Sequence, residues 1–293
     1  MKEQQIRLSD GRMLSYNEYG PSTGKPVLYF HGTPSSRLEP LLLNVYGKDL
    51  NKLLDTTNIR LIAVDRPGMG LSSFDPKRSF LSFAADVHYL CLQLNIHNSE
   101  VMCWSGGGTY ALAIAYAYPQ LIKAVYIICG FTRHFDKEVM QLMGMNKWYF
   151  VLARRAPIVL KSGMNILRQK AINRPVPQKI TGLPYVDYAL LKDVSKLSAV
   201  AELTMKEAAR NGAKGAVSEA AYYYKHPGFD IKAIEQPIHY WWGTLDMSVV
   251  HAHAEEVESK APNAIMHYRE HEGHFSLYIN FFEEVLQQIA RSD

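Results

Sequence analysis

Residues 101–118, VMCWSGGGTYALAIAYAY, decide the fold of this chain. An apolar run, Val101–Trp104, meets a run of small residues with helical character, Thr109–Tyr118, across a turn that has Ser105 at its apex. A strand, a tight turn and a helix in this order strain the serine backbone and point its hydroxyl outward beyond the strand. The pattern predicts a nucleophilic serine. Because it also suits an ordinary serine in a glycine-rich turn, the rest of the sequence has to distinguish the two.

Short apolar segments alternate with helical patterns along most of the chain. Besides the strand before Ser105, strand-like segments are Met13–Tyr19, Pro26–Phe30, Ile59–Val64, Lys123–Cys129, Ile238–Trp242 and Ile265–Tyr268. Helical patterns occupy Leu38–Leu54, Phe80–Leu94, His251–Lys260 and Phe275–Ala290. Near-continuous apolar strands separated by helices are typical of a parallel sheet covered on both faces. The sequence therefore predicts an α/β fold with a doubly wound, mostly parallel, eight-stranded sheet.

One long interval lacks this alternation. No convincing strand lies between Cys129 and Ile238, where helical patterns run over Lys137–Arg155, Pro157–Ile172 and Tyr188–Asn211. An insertion of this length between two strands predicts a helical cap over the C-terminal edge of the sheet, where the sites of such folds lie. We expect residues 1–131 and 231–293 to form the core and residues 132–230 to form the cap.

Composition excludes several classes of protein. Of 293 residues, 47% are hydrophobic and 20% charged, as in ordinary globular proteins, and a net charge of +4 without an evident basic cluster disfavours nucleic-acid binding. The three cysteines form no C-x-x-C pair, which argues against a zinc or redox site and favours a reducing compartment. The N-terminus lacks the pattern of a signal peptide, and no apolar run approaches the roughly 20 residues that span a bilayer. A cytoplasmic protein is expected.

The segment Trp148–Arg168 combines apolar with basic residues. This combination suits contact with a membrane surface. More often such a segment packs on its own core and lines the pocket, and we expect this second arrangement rather than membrane contact. The sequence leaves open whether the chain forms a homodimer.

A catalytic serine needs a base within hydrogen-bonding reach, and the base needs a carboxylate that orients it. In a doubly wound sheet these partners follow later strands, in the order Ser, Asp, His. Asp246 follows the strand Ile238–Trp242, and His274 follows the strand Ile265–Tyr268 directly before the last helix. The spacing predicts a triad of Ser105, Asp246 and His274.

Other residues compete for these roles. Asp136, just after an earlier strand, is an alternative carboxylate, and His271 is an alternative base three residues before His274. His251 and His253 would be candidates for a metal pair, but two residues that are two apart on a helix face different directions. No metal site is therefore predicted.

The triad also requires backbone N–H donors for the negative charge that develops on the attacked carbonyl oxygen. Gly106 is one candidate, at the start of the helix after the serine. The loop His31-Gly32-Thr33-Pro34 supplies the other, and Thr33 is the expected donor because Pro34 has no N–H. His31 is expected to be structural.

With these residues the chain resembles the α/β-hydrolase fold superfamily, more narrowly the prokaryotic hydrolases with an HGTP-S-R motif and a helical cap. The motifs that carry the resemblance are residues 31–37 (HGTPSSR), 65–72 (DRPGMGLS), the turn at Ser105, Gly243 with Asp246, and Gly273-His274. Residues 65–72 are interpreted as a structural turn. Cys103 departs from the family pattern G-x-S-x-G, and a side chain of this size is expected to be tolerated.

The resemblance implies a serine hydrolase of the carboxylesterase type that acts on a small apolar ester or acyl substrate without a metal or organic cofactor. A C–C bond hydrolase or a cofactor-free perhydrolase would use the same triad, so both remain alternatives. A receptor that binds a ligand with little turnover is the alternative from another class. Methionine and aromatic residues in the cap suggest an apolar pocket, but the substrate itself cannot be read from the sequence.

Overall fold

The computed structural model describes residues 3–174 and 176–292, and its centre is one eight-stranded sheet. The strands are β1 (Gln4–Arg7), β2 (Met13–Tyr19), β3 (Lys25–Phe30), β4 (Ile59–Val64), β5 (Ser99–Trp104), β6 (Ile122–Ile128), β7 (Ile238–Gly243) and β8 (Ala264–Arg269). Their order is β1-β2-β4-β3-β5-β6-β7-β8. The pairs β1–β2 and β2–β4 are antiparallel and the other pairs are parallel. The predicted doubly wound, mostly parallel sheet is confirmed.

Helices cover both faces of the sheet. Those of the core are α1 (Leu42–Val45), α2 (Leu50–Thr57), α3 (Phe80–Gln93), α4 (Gly108–Ala117), α12 (Ala252–Lys260) and α13 (His274–Arg291). Neighbouring side chains of a strand point to opposite faces. On β3, Tyr29 packs against Phe282 of α13 and Phe30 against Phe83 of α3. The helices α13 and α3 therefore bury opposite faces of the central strands.

Helical elements fill the interval between β6 and β7. They are α5 (Lys137–Leu142), α6 (Lys147–Arg155), α7 (Pro157–Leu167), α8 (Gln178–Thr181), α9 (Tyr185–Leu191), α10 (Val194–Ala201), a π-helical turn (Glu202–Lys206) and α11 (Lys214–Tyr222). The described residues between 129 and 237 contain no strand. A helical insertion is thus present, while the predicted boundaries of the cap at 131/132 and 230/231 stay a prediction.

Three predicted helices proved wrong in extent because the chain breaks within them, in two cases at a capping side chain. The predicted helix Leu38–Leu54 breaks at Gly47, which has a φ of 78°, and α2 restarts where Asp49 accepts a hydrogen bond from the Lys52 N–H. The predicted helix Tyr188–Asn211 breaks at Asp193, whose carboxylate caps α10. Lys137–Arg155 is interrupted between α5 and α6. Side-chain caps offer the backbone a partner outside the helix, so that an apolar pattern continues while the helix does not.

No helix among the described residues is long and apolar enough to cross a membrane.

Candidate functional site

Ser105 lies where β5 ends and the chain turns into α4. Its φ is 53°, a left-handed conformation that costs energy for a residue with a side chain. The turn is tight: a Cβ on Gly107 would lie 2.3 Å from the Phe30 carbonyl oxygen, so only glycine fits there. Cys103, by contrast, is accommodated as a buried residue of β5. The strained turn predicted from the sequence is present, and the departure at Cys103 does not disturb it.

Asp246 and His274 are in contact. His274 Nδ1 lies 2.8 Å from Asp246 Oδ2, while Asp246 Oδ1 accepts hydrogen bonds from the backbone N–H groups of Ser248 and Val249. Burial alone would lower the pKa of His274, but the charge of Asp246 and the hydrogen bond to it outweigh burial and raise the pKa above 6.5. With Nδ1 engaged by Asp246, the Nε2 atom is the one available to act as a base.

Two neighbours fix the position of His274. The indole of Trp104, the residue before Ser105, stacks on its ring with the centroids 5.0 Å apart. Asp187 of α9 caps the N-terminus of α13, its carboxylate accepting from the backbone N–H groups of His274, Phe275 and Ser276 at 2.9, 3.1 and 2.8 Å. The sequence analysis missed Asp187. Nothing in the sequence distinguishes it from other acidic residues of the predicted helical insertion.

Thr33 and Gly106 lie next to each other, as an oxyanion hole requires. A Cβ on Gly106 would lie 2.7 Å from Thr33 Cγ2 and 2.6 Å from the Tyr223 hydroxyl oxygen, so the backbone of Gly106 is in close contact with both residues. The Thr33–Pro34 peptide bond is cis. His31 is fully buried, and its Nδ1 lies 2.7 Å from the Gly32 carbonyl oxygen, which agrees with the structural role expected for it.

A buried ionic cluster supports this part of the site. Arg66 donates to the carbonyl oxygens of His31 and Gly32 and forms a bidentate pair with Glu219 of α11. Glu219 also binds Arg78, and it accepts a hydrogen bond from Tyr223, whose hydroxyl donates to the Gly106 carbonyl oxygen as well. Burial would raise the pKa of Glu219, but Arg66 and Arg78 lower it to about 2, so the carboxylate is charged. The sequence analysis assigned residues 65–72 to a turn and missed this cluster.

A second buried carboxyl group, also missed from the sequence, lies beside Ser105. Glu39 is fully buried in the loop after β3 and accepts hydrogen bonds from the Tyr29 hydroxyl at 2.6 Å and from the Gly32 N–H at 2.9 Å. A Cβ built on Gly32 would lie 3.1 Å from Glu39 Oε2 and 3.2 Å from Ser105 Cβ, so the carboxyl group and the serine flank the same glycine. Burial raises the pKa of Glu39 to about 7.

Ser105 and His274 line one cavity of about 350 Å³. Most of its wall is aromatic or aliphatic: Trp104, Phe131, Tyr149, Phe150, Leu191, Leu197, Val200 and Phe275. Core and insertion both contribute, since Tyr149 and Phe150 belong to α6 and Leu197 and Val200 to α10. The expectation that this part of the chain lines an apolar pocket is therefore met by Tyr149 and Phe150.

The alternative residues have other contacts. Asp136 caps α5 and pairs with Arg133, and His271 is exposed on the surface. His251 pairs with Glu255, whereas His253 is fully buried and accepts from the backbone N–H groups of Thr132 and Arg133. Burial lowers the pKa of His253 to about 3. The two histidines thus have separate partners.

Cys129, Asp246 and His274 place potential metal-ligand atoms within 4.8 Å of one another. A cysteine binds a metal as the thiolate. Burial raises the pKa of Cys129 well above its ordinary value, and the nearby charge of Asp246 acts in the same direction. These residues are therefore better described as a neutral Cys129 thiol beside the hydrogen-bonded pair of Asp246 and His274 than as a metal site.

Comparisons with known sequences agree with this architecture. A sequence model of the alpha/beta hydrolase fold family matches residues 25–156. A protein of Mycoplasma genitalium with the provisional name proline iminopeptidase is 28% identical over 148 residues, which are 50% of this chain and 46% of that protein. The chain thus matches about half the length of this relative.

Solved structures resemble the whole chain. A structure from work on carboxylesterases of the thaumarchaeon Nitrososphaera gargenis superposes with a TM-score of 0.69 at 14% identity and covers 98% of both chains. An esterase from Rhodococcus sp. ECU1013 superposes with a TM-score of 0.67 at 18% identity and covers 100% of this chain and 99% of its own. At such identities the likeness establishes the fold alone.

Proposed function

We propose that this chain, which has the α/β-hydrolase fold, is a serine hydrolase that cleaves small apolar carboxylic esters. The observation that carries the proposal is the 2.8 Å contact between His274 Nδ1 and Asp246 Oδ2, with His274 and the strained Ser105 lining one apolar cavity. A base oriented by a buried carboxylate next to a serine is the arrangement that activates a hydroxyl nucleophile.

In the proposed reaction Ser105 Oγ attacks the ester carbonyl carbon while His274 Nε2 accepts the hydroxyl proton. Asp246 stabilises the imidazolium that forms, and the N–H groups of Thr33 and Gly106 stabilise the oxyanion. When the tetrahedral intermediate collapses, His274 returns the proton to the departing alcohol and an acyl-enzyme remains. A water molecule deprotonated by His274 then attacks the acyl carbon, and the acid is released as Ser105 recovers its proton.

The cavity favours an uncharged ester over an amino-terminal peptide. A peptidase that removes an N-terminal residue has to bind an ammonium group, which calls for a free carboxylate near the serine. Among the described residues that line the cavity, Glu39 is the acidic one, and its oxygens are occupied by Tyr29 and Gly32. Its raised pKa of about 7 further weakens it as a partner for a cation.

The proposal is tested with a series of p-nitrophenyl esters of increasing acyl length, with proline p-nitroanilide as the peptidase substrate. We expect the short and medium esters to be cleaved in preference to the anilide. Ser105→Ala should abolish cleavage and labelling by a fluorophosphonate probe. Ser248→Ala is the matched control: Ser248 lines the same cavity and holds Asp246 through its backbone N–H, so both activities should persist.

Two results would contradict the proposal. Equal rates for wild type and Ser105→Ala would remove Ser105 from the reaction. Probe labelling at Ser105 without cleavage of any ester in the series would keep the nucleophile but reject the ester substrate, and would favour the C–C bond hydrolase, perhydrolase or receptor alternatives.

A further inference from the structure

The outer side of the hairpin formed by α6 and α7 exposes apolar side chains that were expected to be buried. Ile158 is 74% exposed, Val159 65%, Ile166 56% and Trp148 52%. The expectation that Trp148–Arg168 packs on the core is therefore wrong for this side, although it holds for Phe150 and Met164. We call the exposed surface of Lys147–Leu167 the α6–α7 face.

The apolar residues of α7 form a stripe. Val159 and Ile166 are seven residues apart, nearly two full turns, so they lie above one another on the helix, and Ile158 lies beside them at one residue's rotation. Met164, on the opposite side of α7, is the buried residue of that helix. Such an arrangement is an amphipathic helix whose second apolar side is left in solvent.

The charge of the sequence segment that carries this face is one-sided. Residues 139–186 contain eight lysines and arginines and no aspartate or glutamate, so the remainder of the chain has a net charge of −4. The net charge of the whole chain does not show this cluster of basic residues, because acidic residues elsewhere in the chain offset it. Among the described residues, no carboxylate pairs with Lys147, Arg154, Arg155 or Lys161.

We propose that the α6–α7 face docks on the surface of an anionic lipid bilayer. Exposed aliphatic side chains ringed by unpaired cations bind such a surface because the aliphatic groups enter the acyl boundary while the cations meet the phosphates. Tryptophan at the edge of the patch is typical of the membrane interface. Phe150 and Tyr149 on the other side of α6 line the catalytic cavity, so docking brings that cavity close to the lipid surface.

Other occupants fit less well. A symmetric dimer through this face would oppose two copies of the same cationic surface, which repel each other. A nucleic acid would satisfy the cations but would leave Ile158, Val159 and Ile166 without an apolar partner, since its backbone offers phosphates and sugars. The bilayer is the occupant that satisfies both the charge and the apolar stripe.

The test is co-sedimentation of the full chain with vesicles, which measures binding without hydrolysis and so does not depend on the proposed function. Vesicles of equal parts phosphatidylglycerol and phosphatidylcholine should bind the protein at low salt, and pure phosphatidylcholine vesicles should bind it weakly. Ile158→Ser with Val159→Ser should weaken partitioning at least about tenfold. Arg155→Glu with Lys161→Glu should do the same and abolish the salt dependence.

The matched control replaces an apolar residue and a cation that are exposed elsewhere, Leu92→Ser with Lys123→Glu, and should bind like wild type. Tryptophan fluorescence should shift to the blue on binding, and Trp148→Phe should remove that shift. Absence of binding to anionic vesicles, equal loss in the control variant, or binding to a DNA or RNA duplex that survives the serine substitutions would overturn the proposal. So would a dimer that the Ile158→Ser variant dissociates.

Discussion

Arg66 Nη2 donates a hydrogen bond of 2.7 Å to the carbonyl oxygen of Gly32. That carbonyl and the N–H of Thr33 are the two ends of one planar peptide unit, so a cation held on the oxygen fixes the direction of the N–H. It also polarises the unit and makes the N–H a stronger donor to an anion. Glu219, from the insertion, holds Arg66 in place through two hydrogen bonds. The insertion therefore reaches the Thr33 side of the proposed oxyanion hole through Arg66, while Tyr223 contacts Gly106 directly.

This relationship predicts a defect in the rate of the chemical step rather than in substrate binding. Arg66→Lys keeps the positive charge but loses the guanidinium group, which binds the carbonyl oxygens of His31 and Gly32 and the Glu219 carboxylate at the same time. We expect kcat to fall on the order of tenfold to a hundredfold with KM nearly unchanged, because oxyanion donors act mainly in the transition state. Steady-state kinetics on a short p-nitrophenyl ester measure this.

Arg78→Lys is the matched control for that experiment. Arg78 binds the same carboxylate, but its other partners are Tyr110 and the carbonyl oxygens of Pro67 and Gly215. Its replacement should lower the thermal midpoint as much as Arg66→Lys does and leave kcat close to that of wild type. An equal fall in kcat in both variants would mean that the cluster acts through stability alone.

The contact of Asp187 with the backbone of His274 predicts that the insertion affects catalysis at a second point. Asp187→Ala leaves three backbone N–H groups at the start of α13 without their acceptor and should lower the free energy of unfolding by about 1–2 kcal/mol. Because one of these groups belongs to His274, kcat should fall as well. Asp193→Ala removes an exposed cap with two hydrogen bonds from α10 and leaves the backbone of His274 bonded, so it should lower the free energy of unfolding with kcat unchanged. Parallel denaturation and kinetics compare the two, and equal kcat values would contradict the link.

The sign of the His274 pKa shift predicts the pH profile. Since Asp246 raises this pKa above 6.5, the wild-type kcat/KM should rise with pH through a midpoint above that value, as the imidazolium becomes a base. Asp246→Asn removes the negative charge, so the midpoint should move to lower pH. An amide at this position also favours the wrong histidine tautomer, and kcat should fall roughly 10³- to 10⁴-fold. A midpoint that does not move would show that another group controls the profile.

The candidate site residues found from the sequence, Ser105, Asp246 and His274, were those with a local signal. Ser105 lies in a turn whose glycines are visible in the local sequence, and Asp246 and His274 each follow a strand by a short loop. Glu219 and Asp187 gave no such signal, because both lie outside the predicted helices and an acidic side chain most often faces solvent. Their burial arises from partners far away in the sequence, Arg66 and the start of α13. Those contacts exist only after the insertion has folded onto the sheet.

The same reasoning explains the α6–α7 face. Periodicity identifies an amphipathic helix but does not say how many of its sides have partners. Phe150 and Trp148 are two residues apart and equally apolar, yet one lines the cavity and the other is exposed. Which of the two is covered depends on where α11 and α10 pack, and that is information about tertiary structure.

Glu39 predicts a dependence of stability on pH with a sign opposite to that of most carboxylates. Its pKa is raised from 4.5 to about 7 on folding, so the folded state holds a proton that the unfolded state releases. This contribution is fully present below pH 4.5 and is lost as the pH rises through 7. It amounts to about 3 kcal/mol for a shift of this size.

Glu39→Gln keeps an acceptor for Tyr29 and Gly32 but cannot titrate. The free energy of unfolding of both proteins is measured by denaturation between about pH 4 and 8. Wild type should lose about 3 kcal/mol of stability relative to the variant as the pH rises. A difference that stays constant with pH would mean that Glu39 is ionised throughout.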